Sequence, residues 1–254
     1  MRNIKIGVEI EFYGVHYKTV LDSLHEAGIE VSYEGYTHRV MSGWKLVTDC
    51  SVNRTNTGLS KGLELVSPIL KGDDGLDELQ VVMNTLNNIG AKVDRTCGLH
   101  VHHDIQDYDV EHLISLFNLY FNYEPAINKM MPKSRRNQQY CKELDISMLK
   151  RIQKANTIVT LADTVGTRYY KLNVQSYIKY GTIEFRQHSG TVEFEKIEAW
   201  IISTHTMLNY CKHHKVALDR TVQHEDLEEL LAMLNLDGSY AGNFILERAE
   251  ALAC

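Results

Sequence analysis

Residues 97–104 read "CGLHVHHD", a short apolar run in which imidazoles recur at alternate positions. Side chains along a strand alternate between its two faces, so His100 and His102 point one way while Leu99 and Val101 point the other. The same reading fits "GVEIEF" (7–12), where Val8, Ile10 and Phe12 alternate with Glu9 and Glu11, and "GTIEFRQHSG" (181–190), where Ile183 and Phe185 alternate with Glu184, Arg186 and His188. In "GLELVSP" (62–68), Glu64 falls between Leu63 and Leu65. Each of these four strands carries an apolar face suited to packing helices and a polar face bearing Glu, His or Arg.

The chain around them has 254 residues, 44% hydrophobic and 24% charged, enough to bury a substantial core in one large domain or two small ones. A net charge of -6 and a pI near 6.1 argue against nucleic acid, whose binders show a basic stripe. Five scattered cysteines (Cys50, Cys97, Cys141, Cys211, Cys254) without a C-x-x-C indicate neither a disulfide framework nor a zinc knuckle. They point to a reducing, cytoplasmic setting. The start, "MRNIKIGVEIEF", is too charged for a signal peptide, and no apolar run approaches a bilayer's thickness, so no membrane association is expected.

Strand-like and helix-like stretches alternate without a repeat or a Pro/Gly/Ser linker, which predicts a single α+β domain over 1–254 with a helical tail from about 213. Strands are expected at 4–13, 44–48, 62–67 and 97–104, and helices at 18–28, 74–89, 110–122, 144–156 and 194–212. "YYKLNVQSY" (169–177) reads as a strand joined by "IKYG" to that of "GTIEFRQHSG". "MPKSRRNQQY" (131–140) reads as an exposed basic loop, and 224–252 as two short helices broken near Gly238 and Gly242.

A solvated antiparallel sheet alternates in the same way. Such a face usually prefers Thr, Lys, Ser and Gln, however, whereas this one holds four Glu and two His, with Arg186 as the obvious counterion. Carboxylates at i and i+2 lie about 7 Å apart and repel by roughly 2 kcal/mol at an effective dielectric of about 20. A bound cation reverses that sign, and carboxylates with an imidazole suit Mg²⁺ or Mn²⁺.

The succession "GVEIEF", "DCSV", "GLELVSP", "CGLHVHHD" and "YGTIEFRQHSGT" resembles the amidoligase family, a branch of the carboxylate–amine ligases that includes glutamine synthetase and glutamate–cysteine ligase. The match runs from Gly7 to about Trp200, and its specificity lies in the order and spacing of motifs that are individually weak. The resemblance implies a curved, largely antiparallel sheet with two or three divalent ions on its concave face and helices on the convex side. It assigns Glu9, Glu11, Glu64, His100 and Glu184 as metal ligands and sets Arg186 on transferred phosphate. Asp49, in the D-x-S segment, falls near the amine, and Arg168 and Asn173 on the substrate side. His102 is either a further ligand or a buried histidine bonded to a carboxylate; His188 has no counterpart in the family pattern.

What the resemblance implies chemically is ATP-dependent amide formation through an acyl phosphate, joining a small-molecule or peptide carboxylate to an amine. Phosphoryl transfer asks for positioning and charge neutralisation, supplied by metal ions and an arginine. Asp49, or Glu64 where it is not engaged with metal, is the natural acceptor of the amine proton. No Walker A or Rossmann pattern occurs, and Lys179 is a candidate phosphate contact. A Zn²⁺- or Mn²⁺-dependent hydrolase built on the H-x-H pair would need no ATP, and an inactive nucleotide- or metal-binding module would bind without turnover. Cys50 and Cys97 as nucleophiles, "SRRNQQY" as a polyanion site and "CKHHK" (211–215) as a metal site are each outweighed by bland readings: small buried hydrophobes, a solvated loop, and cations at a helix C-terminus. The segment 123–160 and the loops 36–43 and 54–61 are expected to shape substrate choice, while the substrate pair and oligomeric state stay open.

Overall fold

The computed structural model describes residues 4–34, 41–52, 62–219, 221 and 223–253. It is a mixed α+β structure whose strand pairings are mostly antiparallel. Backbone contacts divide it into two units, one comprising 1–102 with 188–198 and the other 103–187 with 199–254.

The first unit contains β1 (Lys5–Phe12), α1 (Tyr17–Glu26), β2 (Val31–Tyr33), β3 (Trp44–Thr48), β4 (Leu63–Val66), β5 (Leu70–Lys71), α2 (Gly72–Asn88) and most of β6 (Leu99–Asp104). Its strand order is β2-β3-β4-β1-β6; β5 pairs antiparallel with the start of β1, and β2–β3 is parallel. The period-two pattern sorts these strands as expected. Val8, Ile10 and Phe12 of β1, Leu46 of β3 and Leu65 of β4 are fully buried, as are Val20 and Leu24 of α1 and Leu79, Val82, Met83 and Leu86 of α2. The helical residues recur at i, i+3, i+4 and i+7, the spacing that puts them on one stripe.

The second unit contains the end of β6, then α3 (Val110–Asn122), α4 (Glu124–Lys129), a 3₁₀ turn (Lys133–Arg135), α5 (Ile146–Ile152), α6 (Ile158–Val165), β7 (Leu172–Asn173), α7 (Gln175–Tyr180), β8 (Thr182–Phe185), most of α8 (Phe194–His213), α9 (Leu227–Met233) and α10 (Tyr240–Ala253). Asp109 and His112 form a reciprocal capping box that starts α3. That helix is buried nearly all round, and its two buried amides bond backbone: Asn118 donates to the Val216 carbonyl and Asn122 to that of Ala217, each at 2.9 Å. Phe185 meets Trp200 edge-on at 6.3 Å.

Three expectations are corrected. The strand expected at 169–177 shrinks to Leu172–Asn173, because Gln175 begins α7, which takes in most of "IKYG" and ends on Gly181 at φ +70°. The basic stretch 131–140 is not a solvated loop throughout, since Arg135 is 4% exposed. Gly242 does not break the tail; the chain turns at Gly238, and Gly242 lies inside α10. Loop 54–61 and most of loop 36–43 lie outside the described residues.

Candidate functional site

In the first unit, register carries the polar face from strand to strand. Glu11 stands opposite Glu64 and Glu9 opposite Val66, while on the other side of β4 Val47 faces Glu64 and Lys45 faces Val66. Directly opposed residues share a face, so Glu9, Glu11, Glu64 and Lys45 all project to one side. Two like charges set opposite one another across strands disfavour pairing, yet the Glu11–Glu64 pair sits in the middle of this sheet. His100 and His102 of β6 meet β1: His100 Nδ1 lies 3.0 Å from Glu9 Oε2, His100 Nε2 3.9 Å from Glu11 Oε1, and His102 Nε2 3.5 Å from Glu9 Oε1.

These groups are largely withdrawn from water, His100 being 5%, Glu11 7% and His102 8% exposed. Burial alone pushes the Glu9 carboxyl up, but the hydrogen bonds and positive charge of His100 and His102 outweigh it and hold Glu9 well below the usual carboxylate range. The Gly98 N–H donates to Glu11 Oε2 at 2.5 Å and fixes that carboxylate. Glu11, Glu64 and His100 each offer one ligand atom within 4.8 Å of the others. Two carboxylates and an imidazole at that spacing suit a divalent cation of the Mg²⁺ or Mn²⁺ kind. With Nδ1 occupied by Glu9, the His100 ring is held with Nε2 towards Glu11, the arrangement in which an outer carboxylate orients a metal-binding histidine.

Two glycines let backbone approach this face. A Cβ at Gly190 would sit 2.4 Å from Cys97 Cβ, and one at Gly62 would sit 2.6 Å from the Asp49 carbonyl. Segment 188–190 can therefore pair beside β6, with Leu99 N–H donating to the His188 carbonyl and Gly190 N–H to that of Cys97. His188 is 1% exposed, its Nδ1 2.7 Å from the Ser189 carbonyl oxygen. Asp49 directly follows β3, and its carboxylate accepts from the Ser51 N–H at 2.6 Å, which gives the D-x-S spacing a local role.

In the second unit, Asn173 on β7 stands opposite Glu184 on β8. Glu184, 3% exposed, accepts from Asn173 Nδ2 at 2.5 Å and forms an ion pair with Arg186. Arg186 is held at three further points: its N–H donates to the Lys171 carbonyl at 2.9 Å, its Nε to the Tyr140 carbonyl at 3.4 Å, and its own carbonyl accepts from Arg135. Arg168 and Lys179 are exposed, their cations over the neighbouring Tyr169 and Tyr180 rings at 5.3 and 5.5 Å. Thus the structure joins Asn173, Glu184 and Arg186 and leaves Arg168 and Lys179 on the surface. His103, on the other face of β6, is 2% exposed, bonded through Nε2 to Thr204 Oγ1 at 2.8 Å.

Two cations escaped sequence reading. Lys45 is 6% exposed on the carboxylate face of the first unit, and the alternation of "WKLVT" is the signal for it. Arg135 carries no periodic signal at all, because it lies in a 3₁₀ turn.

The first unit thus gathers carboxylates and imidazoles on one face of its sheet. A profile of the family described as "Putative amidoligase enzyme" matches residues 2–208, and the chain belongs to that family of ligase-type enzymes. No curated protein matches it. Among solved structures, a "novel glutamine synthase homolog" aligns at 10% identity with a TM-score of 0.46, over 98% of this chain and 66% of that one, so this chain spans less than two thirds of that protein's length. No helix among the described residues is long and apolar enough to cross a membrane.

Proposed function

We propose that the protein is a cytoplasmic, ATP-dependent ligase that joins a small-molecule or peptide carboxylate to an amine. The observation that carries this reading is the convergence of Glu11, Glu64 and His100 within 4.8 Å in a chain of the amidoligase family. A Mg²⁺ or Mn²⁺ ion held there would neutralise phosphate charge. Glu9 joins the set, and its hydrogen bond with Nδ1 assigns it also to orienting His100, with His102 Nε2 3.5 Å from that same carboxylate.

Carboxylates do not condense with amines in water near neutral pH, so the acid first takes the γ-phosphoryl group of ATP, forming an acyl phosphate and releasing ADP. The amine then attacks the acyl carbon, phosphate leaves, and the amine proton passes to a base. Asp49 is assigned to that proton, or Glu64 where it is not engaged with metal. Arg186 is assigned to the transferred phosphoryl group and Glu184 to metal. Asn173, Arg168 and Lys179 are assigned to substrate and phosphate. A planar guanidinium matches phosphoryl oxygens in a bidentate way that an ammonium does not.

The test begins with Mn²⁺ alone. Melting curves of the wild type and Glu64→Gln, with chelator and with excess Mn²⁺, should show a stabilisation that the variant largely loses, because only binding to the native state raises stability. An undiminished increment in the variant would remove Glu64 from the cation site. The wild type with Mg·ATP is then offered pools of acids and amines; joined product with ADP and phosphate supports the ligase, and turnover without ATP consumption selects the hydrolase.

A further inference from the structure

Within "MPKSRRNQQY", Arg135 is 4% exposed, in a stretch whose composition reads as solvated. Its guanidinium donates through Nε to the Gln187 carbonyl at 3.2 Å and through a terminal nitrogen to the Arg186 carbonyl. A buried guanidinium loses hydration that its partners must replace. Here the partners are the two consecutive carbonyls that follow β8, so the rigid planar fork fixes the peptide plane between Arg186 and Gln187. Five residues further along, the Tyr140 carbonyl accepts from Arg186 Nε at 3.4 Å. The stretch 135–140 therefore grips Arg186 by its backbone and its side chain.

A buried network anchors the far side of this grip. Lys171, whose carbonyl accepts from the Arg186 N–H, is 0% exposed and pairs with Glu124 at 2.5 Å. Asn128 Oδ1 accepts from Lys171 Nζ at 3.0 Å and from Gln187 Nε2 at 2.6 Å. Gln187 is thus fixed through its side chain by Asn128 and through its carbonyl by Arg135.

We propose that Arg135 is a positioning residue, which by clamping the Arg186 and Gln187 carbonyls sets the direction of the Arg186 guanidinium towards the anion it meets. This rests on the reading of Arg186 as a phosphate contact. The geometry separates two parts of the basic stretch: Arg136 bonds the Met131 carbonyl at 3.0 Å and closes its own loop, while Arg135 serves β8.

Nuclear magnetic relaxation of arginine Nε–H groups tests the proposal directly. In the wild type, the Arg186 Nε signal should be ordered and slow to exchange, in contrast to that of the exposed Arg151. In Arg135→Lys, which keeps the charge but not the two-pronged fork, and in Arg135→Gln, it should become mobile and exchange about tenfold faster, with melting temperature retained in at least one of them. An Arg186 signal unmoved in both variants, or as mobile as that of Arg151 in the wild type, would overturn the proposal; should neither variant fold, the wild-type comparison decides. Mg·ATP titration adds a second arm. Arg135→Lys and Arg186→Lys should each weaken binding by about tenfold, and the double variant should be little worse than either. Additive losses would count against action through Arg186. A wild type that binds no Mg·ATP would refute the ligase reading, and the relaxation result would still stand for or against the clamp.

Discussion

In the first unit, carboxylates meet imidazoles and one another: Glu11 faces Glu64 across two strands, and Glu9 lies 3.0 Å from His100 Nδ1 and 3.5 Å from His102 Nε2. In the second, the buried carboxylates meet permanent cations: Glu124 pairs with Lys171 and Glu184 with Arg186. An imidazole changes charge near neutral pH and can turn a nitrogen to a metal, whereas ammonium and guanidinium groups do neither. The first arrangement suits an added cation, and the second rigidifies backbone around groups already neutralised in pairs. The contrast gives the two units different signs of response to the same kind of substitution.

The largest effect is expected at Lys171. Burial pushes the Glu124 carboxyl above its usual range even with Lys171 beside it. Lys171→Met should therefore cost about 3 kcal/mol in urea unfolding, the penalty of stranding a buried charge. Adding Glu124→Gln should restore part of it. A loss well under about 1 kcal/mol would mean that water reaches the pair, and the contrast between the units would weaken.

Glu184→Gln and Glu64→Gln sharpen the comparison. The first removes the charge that Arg186 meets and should lower metal-free stability by about 2 kcal/mol. The second relieves a cross-strand carboxylate pair, so metal-free stability should hold or rise by up to about 1 kcal/mol. Equal losses in the two variants, in melting curves run with chelator, would erase the distinction. The Glu184–Arg186 pair also changes what is expected of Glu184 from the strand pattern alone, where repulsion among clustered carboxylates would make its neutralisation harmless.

A smaller effect belongs to Asp145, the N-cap of α5, whose carboxyl is held below its ordinary range by the Ser147 hydroxyl and the Met148 N–H. Asp145→Ala should cost about 1 kcal/mol at neutral pH. Because the folded-state value is the lower one, this contribution is complete above the unfolded carboxyl range and disappears as pH falls through the depressed value. Wild type and variant should thus converge in acid urea titrations.

Thiol reactivity should leave stability untouched. Cys97 and Cys211 are buried, with thiols pushed up to about 12 chiefly by burial, and Cys141 is buried and shifted upward for the same reason. Among these and the exposed Cys50, an alkylating reagent near neutral pH should label Cys50 first. Early modification of Cys97 would show that the segment leading into β6 opens readily.

Most strands that carry the polar face, and the long helices, are legible from local pattern alone. Period-two and 3.6-residue patterns are local, and Glu9, Glu11, Glu64, His100, Glu184 and Arg186 all lie on strands or directly beyond them. The same pattern also marked His100 and His102 as sharing a face, which the distances to Glu9 bear out. Register belonged to the tertiary structure: that Glu11 stands opposite Glu64 depends on pairing between segments some fifty residues apart, which no local pattern encodes. The same holds for Lys45, which becomes part of the face through β3–β4 pairing. α7 departs from the strand pattern: "NVQSY" has β-branched and aromatic residues suited to a strand, while Gly181 in the left-handed region closes it as a helix. Arg135 was hidden for a physical reason: an arginine is buried when distant carbonyls replace its hydration, and only the folded chain brings the carbonyls of Arg186 and Gln187 to it.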